Sequence, residues 1–255
     1  MILAIDVGNT NITIGCVHEG SIALVFAIST NIAKTAEEYA MDIKSILDFH
    51  KIKPDEIEGA IISCVVPPLS NSIRSSLRML SNIEALIVGA GVKTGMNILI
   101  DDPAQLGGDM VAAAVGALAT HTPPIIVVDM GTAIKMCVLD KNGSFIGGAI
   151  MPGLSLSMNA LSTGTSQLPH VTIEAPGKLI SKNTIDCMKS GAVFGTASMI
   201  DGMISRFENE LDNDAISIIT GGHAELVKNH CLREIKYDPH LILRGLEKIY
   251  ERNRA

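Results

Sequence analysis

The chain has 255 residues, a formal net charge of −7, 47% hydrophobic residues and only 3% aromatic residues. That is enough apolar material for one large domain or two lobes sharing a cleft. An acidic chain poor in aromatics lacks the basic patches and stacking rings that nucleic acid requires. Its longest apolar stretch, Met110 to Ala119, falls short of the roughly 20 residues of a membrane span, so neither nucleic acid nor membrane is an expected partner.

The chain opens on Met1-Ile2-Leu3-Ala4-Ile5-Asp6, with no basic leader, so no signal peptide is expected. Ile2 to Ile5, Ile12 to Val17 and Ile22 to Ile28 are apolar runs joined by short polar turns, the pattern of an antiparallel meander. Thr35 to His50 has helical spacing (Ala36, Tyr39, Ala40, Ile43, Ile46, Leu47) and ends near Pro54. Gly59 to Val66 is a buried strand that Pro67-Pro68 should stop, and Ser70 to Leu80 a helix with Ser70 as its expected N-cap. An alanine-rich helix, Val111 to Thr120, follows Gly107-Gly108-Asp109. Strands follow at Ile125 to Val128 and Cys137 to Leu139. In the last segment Lys228, Arg233, Lys236, Arg244, Lys248, Arg252 and Arg254 alternate with acids such as Glu234 and Glu247, as on a solvated helix face. The five cysteines (Cys16, Cys64, Cys137, Cys187, Cys231) form no Cys-x-x-Cys pair. Neither zinc nor a disulfide framework is indicated, and a reducing cytoplasm is the expected location.

The second half begins like the first. With Asp6 laid on Asp129, Gly8 falls on Gly131, Gly20 on Gly143 and Ser21 on Ser144, at a constant offset of 123 residues. Apolar strands precede both aspartates, which points to a duplication. Two lobes that each open with strand, Asp-x-Gly turn and strand imply a cleft with two carboxylates at strand ends, suited to a metal-bound nucleotide. This resembles the layout of actin-like ATPases and sugar kinases. The expected fold is α/β, two duplicated actin-like (ribonuclease H-like) lobes with mixed five-stranded sheets and an interlobe cleft, divided as 1–115 and 116–255.

Several motifs carry chemistry. In Asp6-Val7-Gly8-Asn9-Thr10-Asn11, Gly8 permits a tight turn, the next three residues offer donors to phosphate oxygens, and Asp6 is a hard ligand for Mg²⁺. An Asx-type hairpin turn would read the same way. In Asp129-Met130-Gly131-Thr132-Ala133, Thr132 can donate to a phosphate and Asp129 can hold a cation. The glycines of Gly147-Gly148 and Gly221-Gly222 either admit a ligand close to the backbone or merely shape an element end. Asp109 reads as a helix cap or as the proton acceptor for a substrate hydroxyl.

Taken together these motifs resemble the type III pantothenate kinases over nearly the whole chain. Ile61 to Pro68, Gly89 to Gly95, Gly147 to Gly153, Asn183-Thr184 and Thr220-Gly221-Gly222 also fall in the family's order. The resemblance implies transfer of the ATP γ-phosphate to the 4′-hydroxyl of pantothenate, the first step of coenzyme A synthesis. It also implies a homodimer, a divalent metal such as Mg²⁺, and a monovalent cation, K⁺ or NH₄⁺. By position, Asp6, Val7, Gly8, Asn9, Thr10, Asn11, Ile12 and Thr13 would line the phosphates, with Asp6 reaching the divalent metal through phosphate or water. Asp129 would hold the monovalent cation and Thr132 would touch ATP. Ile100, Gly107, Gly108, Asp109, Met110 and Thr184 would contact pantothenate, and Asp109 would take the proton.

The departures from the family pattern lie mostly on the acceptor side. The family's Gly-x-Asp-Arg reads Gly107-Gly108-Asp109-Met110, and its pocket tyrosine reads Ile100. The lost arginine would contribute about 1.5–3 kcal/mol to binding the pantothenate carboxylate. The usual Asp-x-Gly-Thr-Ala-Thr-Thr-Phe-Asp reads Asp129 to Cys137 with Ile134-Lys135 in place of two threonines, and a usual Glu-Arg-Thr reads Thr163-Gly164-Thr165. Lys135 is either an exposed lysine or a replacement for the missing positive charge. Two other functions stay open at this point: a kinase for another small alcohol, and a nucleotide-binding regulator without catalysis.

Overall fold

A computed structural model describes residues 1–254. In chain order the elements are β1 (Ile2–Val7), β2 (Asn11–His18), β3 (Ser21–Ser29), α1 (Ala36–Phe49), β4 (Gly59–Cys64), α2 (Pro67–Ser81), β5 (Ala85–Ile87) and α3 (Gly108–Thr120). There follow β6 (Ile125–Met130), β7 (Ala133–Leu139), β8 (Phe145–Pro152), α4 (Leu154–Gly164), α5 (Thr184–Ser190), α6 (Thr196–Leu211), β9 (Ile216–Thr220), α7 (Ala224–Lys228), β10 (Lys236–Tyr237) and α8 (Leu241–Arg254). The chain forms two units: residues 1–96, 101–119 and 241–254, and residues 97–100 and 120–240. The boundary placed at 115/116 from sequence falls inside α3, and α8 lies with the first unit.

The first unit holds a sheet ordered β3-β2-β1-β4-β5. The β1–β2 and β2–β3 pairs are antiparallel, and β1–β4 and β4–β5 parallel. Alternation along β1 sends Leu3, Ile5 and Val7 to one face, where they pack with Tyr39, Ile43 and Leu47 of α1 and Leu69, Ile73 and Leu77 of α2. Thr35 and Glu38 close a capping box at the start of α1. The expected cap at Ser70 is not what forms. Helix α2 begins at Pro67 with Val66 in the cap position, because proline at the first helical position gives up an amide that has no intrahelical partner anyway. The opposite face of the sheet takes α8, where Gly15 meets Leu243 and Gly59 meets Tyr250. The solvated-face reading therefore fails for Glu247. It is buried, and its Oε1 accepts the Gly20 N–H at 2.8 Å, capping the β2–β3 turn.

The second unit repeats the plan with order β8-β7-β6-β9-β10 and the same strand senses. Strands β1 and β6 begin 123 residues apart, and both second strands carry an irregularity near their ends, at Cys16/Val17 and at Val138/Leu139. Ile126, Val128 and Met130 pack with Ile134, Met136 and Val138 and with Ala197, Ile200 and Ile204 of α6. A π-helical turn, Gly191–Gly195, joins α5 to α6. All five cysteines are free thiols. No helix among the described residues is long and apolar enough to cross a membrane.

Candidate functional site

In the first unit the central strand β1 ends at the candidate site. Asp6 stands between Thr13 on β2 and Ser63 on β4 in register. The turn beyond it is tight: the Gly8 N–H donates to the Asn11 carbonyl at 3.0 Å. Thr30 pins the turn from β3's end, its hydroxyl donating to the Gly8 carbonyl at 2.7 Å and its N–H to the Thr10 carbonyl at 3.0 Å. Asn9, Thr10 and Asn11 are exposed. Val7 and Ile12 do not line anything with their side chains, because both are fully buried in the core. Any contact from them to a phosphate comes through the backbone.

Asp109 lies in the same unit, in the first turn of α3, and is 5% exposed. It is not the cap residue. The helix starts at Gly108, and the Gly107 carbonyl accepts the Val111 N–H at 3.1 Å. The Asp109 Oδ1 accepts the Met110 N–H at 2.8 Å. Gly107 is required by this arrangement, since a Cβ there would stand 2.5 Å from Asp109 Oδ1. A Cβ on Gly108 would lie 3.3 Å from Ser63 Oγ, so the start of α3 sits over the end of β4 and, through it, beside Asp6. Ser63 Oγ is fully buried and makes no hydrogen bond among the described residues. Sequence reasoning missed it inside the run Ile61 to Pro68; a hydroxyl closing an apolar strand was the available signal.

In the second unit Asp129 ends β6 between Lys135 on β7 and Thr220 on β9. Gly221 follows at φ +99, and a Cβ there would sit 2.7 Å from the Met130 backbone, so only glycine lets this loop close on the β6 end. Thr132 is exposed, and its carbonyl accepts the Gly153 N–H at 3.0 Å. Lys135 is not an exposed lysine: its Nζ lies 2.7 Å from Asp129 Oδ2. Ile100 is half-buried, and Thr184 lines a cavity of about 480 Å³ with Leu154, Met158, Leu161, Met188 and Met199.

Residues 2–206 match the family described as Type III pantothenate kinase. The chain belongs to the type III pantothenate kinase family. Among its relatives of that description, one from Exiguobacterium sp. is 38% identical over 253 residues, covering 99% of both chains. One from Syntrophobacter fumaroxidans is 40% identical over 255 residues, covering 100% of this chain and 99% of the relative. Solved structures agree on the fold. A ROK family glucokinase from Streptomyces griseus has a TM-score of 0.54 at 12% identity, covering 100% of this chain and 99% of its own. The inorganic polyphosphate/ATP-glucomannokinase of Arthrobacter sp. strain KM has a TM-score of 0.52 at 15% identity, covering 98% of each chain. The two-lobed actin-like architecture expected from the repeat is the one observed.

For a type III pantothenate kinase, two ions call for a test of fit. Mg²⁺ suits Asp6: a hard carboxylate oxygen at a strand end, flanked by the hydroxyls of Thr13 and Ser63, matches an ion that keeps waters and binds mainly through nucleotide phosphates. A monovalent cation does not suit Asp129, whose carboxylate is already matched by the Lys135 ammonium.

Proposed function

We propose that this chain transfers the γ-phosphoryl group of ATP to the 4′-hydroxyl of pantothenate, opening coenzyme A synthesis in the cytoplasm. The observation that carries the reading is full-length identity of 36–40% to relatives that are all described as type III pantothenate kinase. Residues 6–13 hold the phosphates, with Asn9, Thr10 and Asn11 as side-chain donors, and Thr132 is a further contact to ATP. Asp6 would hold Mg²⁺ through phosphate or water, which neutralises charge on the triphosphate. Gly107 to Met110, Ile100 and Thr184 contact pantothenate. Asp109 takes the proton of the attacking hydroxyl as its oxygen bonds to the γ-phosphorus; the bond to the β,γ-bridging oxygen breaks, and ADP leaves. Such a reaction asks the protein for positioning and charge rather than covalent chemistry.

Neither the fold nor the relatives favour another alcohol or a silent regulator. The test is ADP release by the purified chain with Mg²⁺ and a panel of small alcohols, with ³¹P NMR of the product. A phosphomonoester formed with pantothenate is expected. ATP binding with no turnover on pantothenate would overturn the reading.

A homodimer is part of the same proposal. The second unit exposes Leu156, Leu161, Leu179, Ile180 and Ile185 on and around α4 and α5, large apolar side chains of the kind a subunit interface covers. Leu161→Glu together with Ile180→Glu should convert a dimer to a monomer at micromolar concentration in light scattering coupled to size exclusion. A wild-type monomer, or a double variant still dimeric, would refute this interface.

A further inference from the structure

We propose that Lys135 is a built-in cation at Asp129: its ammonium occupies the position a monovalent ion would take, and nucleotide binding by this chain is independent of K⁺ and NH₄⁺. This rests on the kinase reading above and concerns a site where the chain departs from its family's sequence.

Lys135 stands directly opposite Asp129 in the β6–β7 pair, and its Nζ is 2.7 Å from Oδ2, the length of a charge-assisted hydrogen bond. The two side chains keep 18% and 11% of their exposure, so solvent and salt screen the pair less than an ion pair on the open surface. The repeat supplies an internal comparison. Opposite Asp6, the matching residue of the first unit, the second strand presents Thr13. In register, then, one aspartate is paired with a threonine and the other with a lysine. Lysine is depleted in strands, and its neighbours Ile134 and Met136 are buried in the core. What places Lys135 in β7 is the carboxylate across from it.

The chemistry is equivalent to that of the free ion. A primary ammonium carries the charge of NH₄⁺ and three N–H donors, and being tethered it does not depend on salt concentration. A second cation at Asp129 would stand beside it. At about 4 Å and an effective dielectric of about 20, that repulsion weakens the ion roughly a thousandfold.

The experiment measures ATP affinity by calorimetry, with Mg²⁺ present, in choline, Na⁺, K⁺ and NH₄⁺ chlorides at fixed ionic strength. Line broadening in ²⁰⁵Tl NMR, with Tl⁺ standing in for K⁺, reports the ion directly. The wild-type chain should bind ATP within about twofold in all four salts and leave the Tl⁺ line unaltered. Lys135→Thr, checked for folding by circular dichroism, should bind ATP at least tenfold more tightly in K⁺ than in choline and should broaden the Tl⁺ line. The wild-type arm decides even if the variant does not fold: a tenfold gain from K⁺, or saturable Tl⁺ binding, overturns the proposal. A folded Lys135→Thr chain indifferent to K⁺ overturns it as well. No ATP binding in any salt would bring down the kinase reading itself, and this proposal with it.

Discussion

Asp109→Asn is expected to keep ATP bound and to stop phosphoryl transfer. The substitution preserves shape, and the Asn carbonyl can still accept the Met110 N–H that Asp109 Oδ1 accepts at 2.8 Å, so the start of α3 should stay in place. What is lost is the ability to take a proton, and kcat should fall roughly a hundred- to ten-thousandfold. The dissociation constant for ATP should stay within about threefold, because the turn proposed to hold the phosphates is pinned by Thr30 through Gly8 and Thr10. Steady-state turnover with pantothenate and calorimetry with ATP read the two quantities separately. A kcat reduced less than tenfold would remove Asp109 as proton acceptor. A matching loss of ATP affinity would make its role structural.

Asp109 also shows where sequence reasoning reached and where it stopped. An aspartate after two glycines and before an apolar helix was visible as a functional candidate or a cap. The choice between them depends on which carbonyl the first helical amides meet, and that is a three-dimensional fact: the Gly107 carbonyl takes the Val111 N–H. The duplicated sheet was legible because the strand, Asp-x-Gly and turn signals recur at one offset; β1 and β6 keep it, while the strands that follow drift from it by a residue. Ser63 and Thr220 were not legible as partners of the two aspartates. They arrive from β4 and β9 after crossovers of different length, so no constant spacing marks them. Glu247 looked like one more charge on a solvated face; only the docking of α8 beneath the β2–β3 turn reveals the Gly20 amide that it satisfies.

Lys135 failed for a related reason. The connection from Asp129 to its strand partner is one residue shorter than the connection from Asp6, pairing Asp129 with Lys135 where Asp6 meets Thr13. A fixed offset places Met136, not Lys135, on Thr13, and the cross-strand ion pair disappears from view. Register, rather than residue type, decided the chemistry of this site.

Gly245→Ala should destabilise the chain and slow it as well. In the first unit the backbones of α3 and α8 touch: a Cβ on Gly245 would lie 1.8 Å from the Ala112 carbonyl oxygen and 2.9 Å from the Gly116 amide nitrogen. A Cβ on Gly116 would lie 2.3 Å from the Leu241 carbonyl oxygen. Helix propensity alone favours alanine by about 0.8–1 kcal/mol, so propensity and packing predict opposite signs. Packing should win, because the obstruction is backbone on a second helix and cannot rotate away. Overpacking of this kind costs about 1–3 kcal/mol and occasionally more. Here the helices would have to part by an ångström or more, which puts the net loss at about 2 kcal/mol or above. In a chain of this size that lowers Tm by roughly 4–8 °C. Since α3 carries Asp109 in its first turn, the displaced helix should also cut kcat with pantothenate, and an ångström of misplacement can reach about a hundredfold. Gly191→Ala is the matched control: it sits in helical conformation at φ −60 with nothing within 4 Å of the added carbon, and should be neutral or slightly stabilising. A Gly245→Ala chain that melts at or above the wild-type temperature would show that α3 and α8 do not meet backbone to backbone.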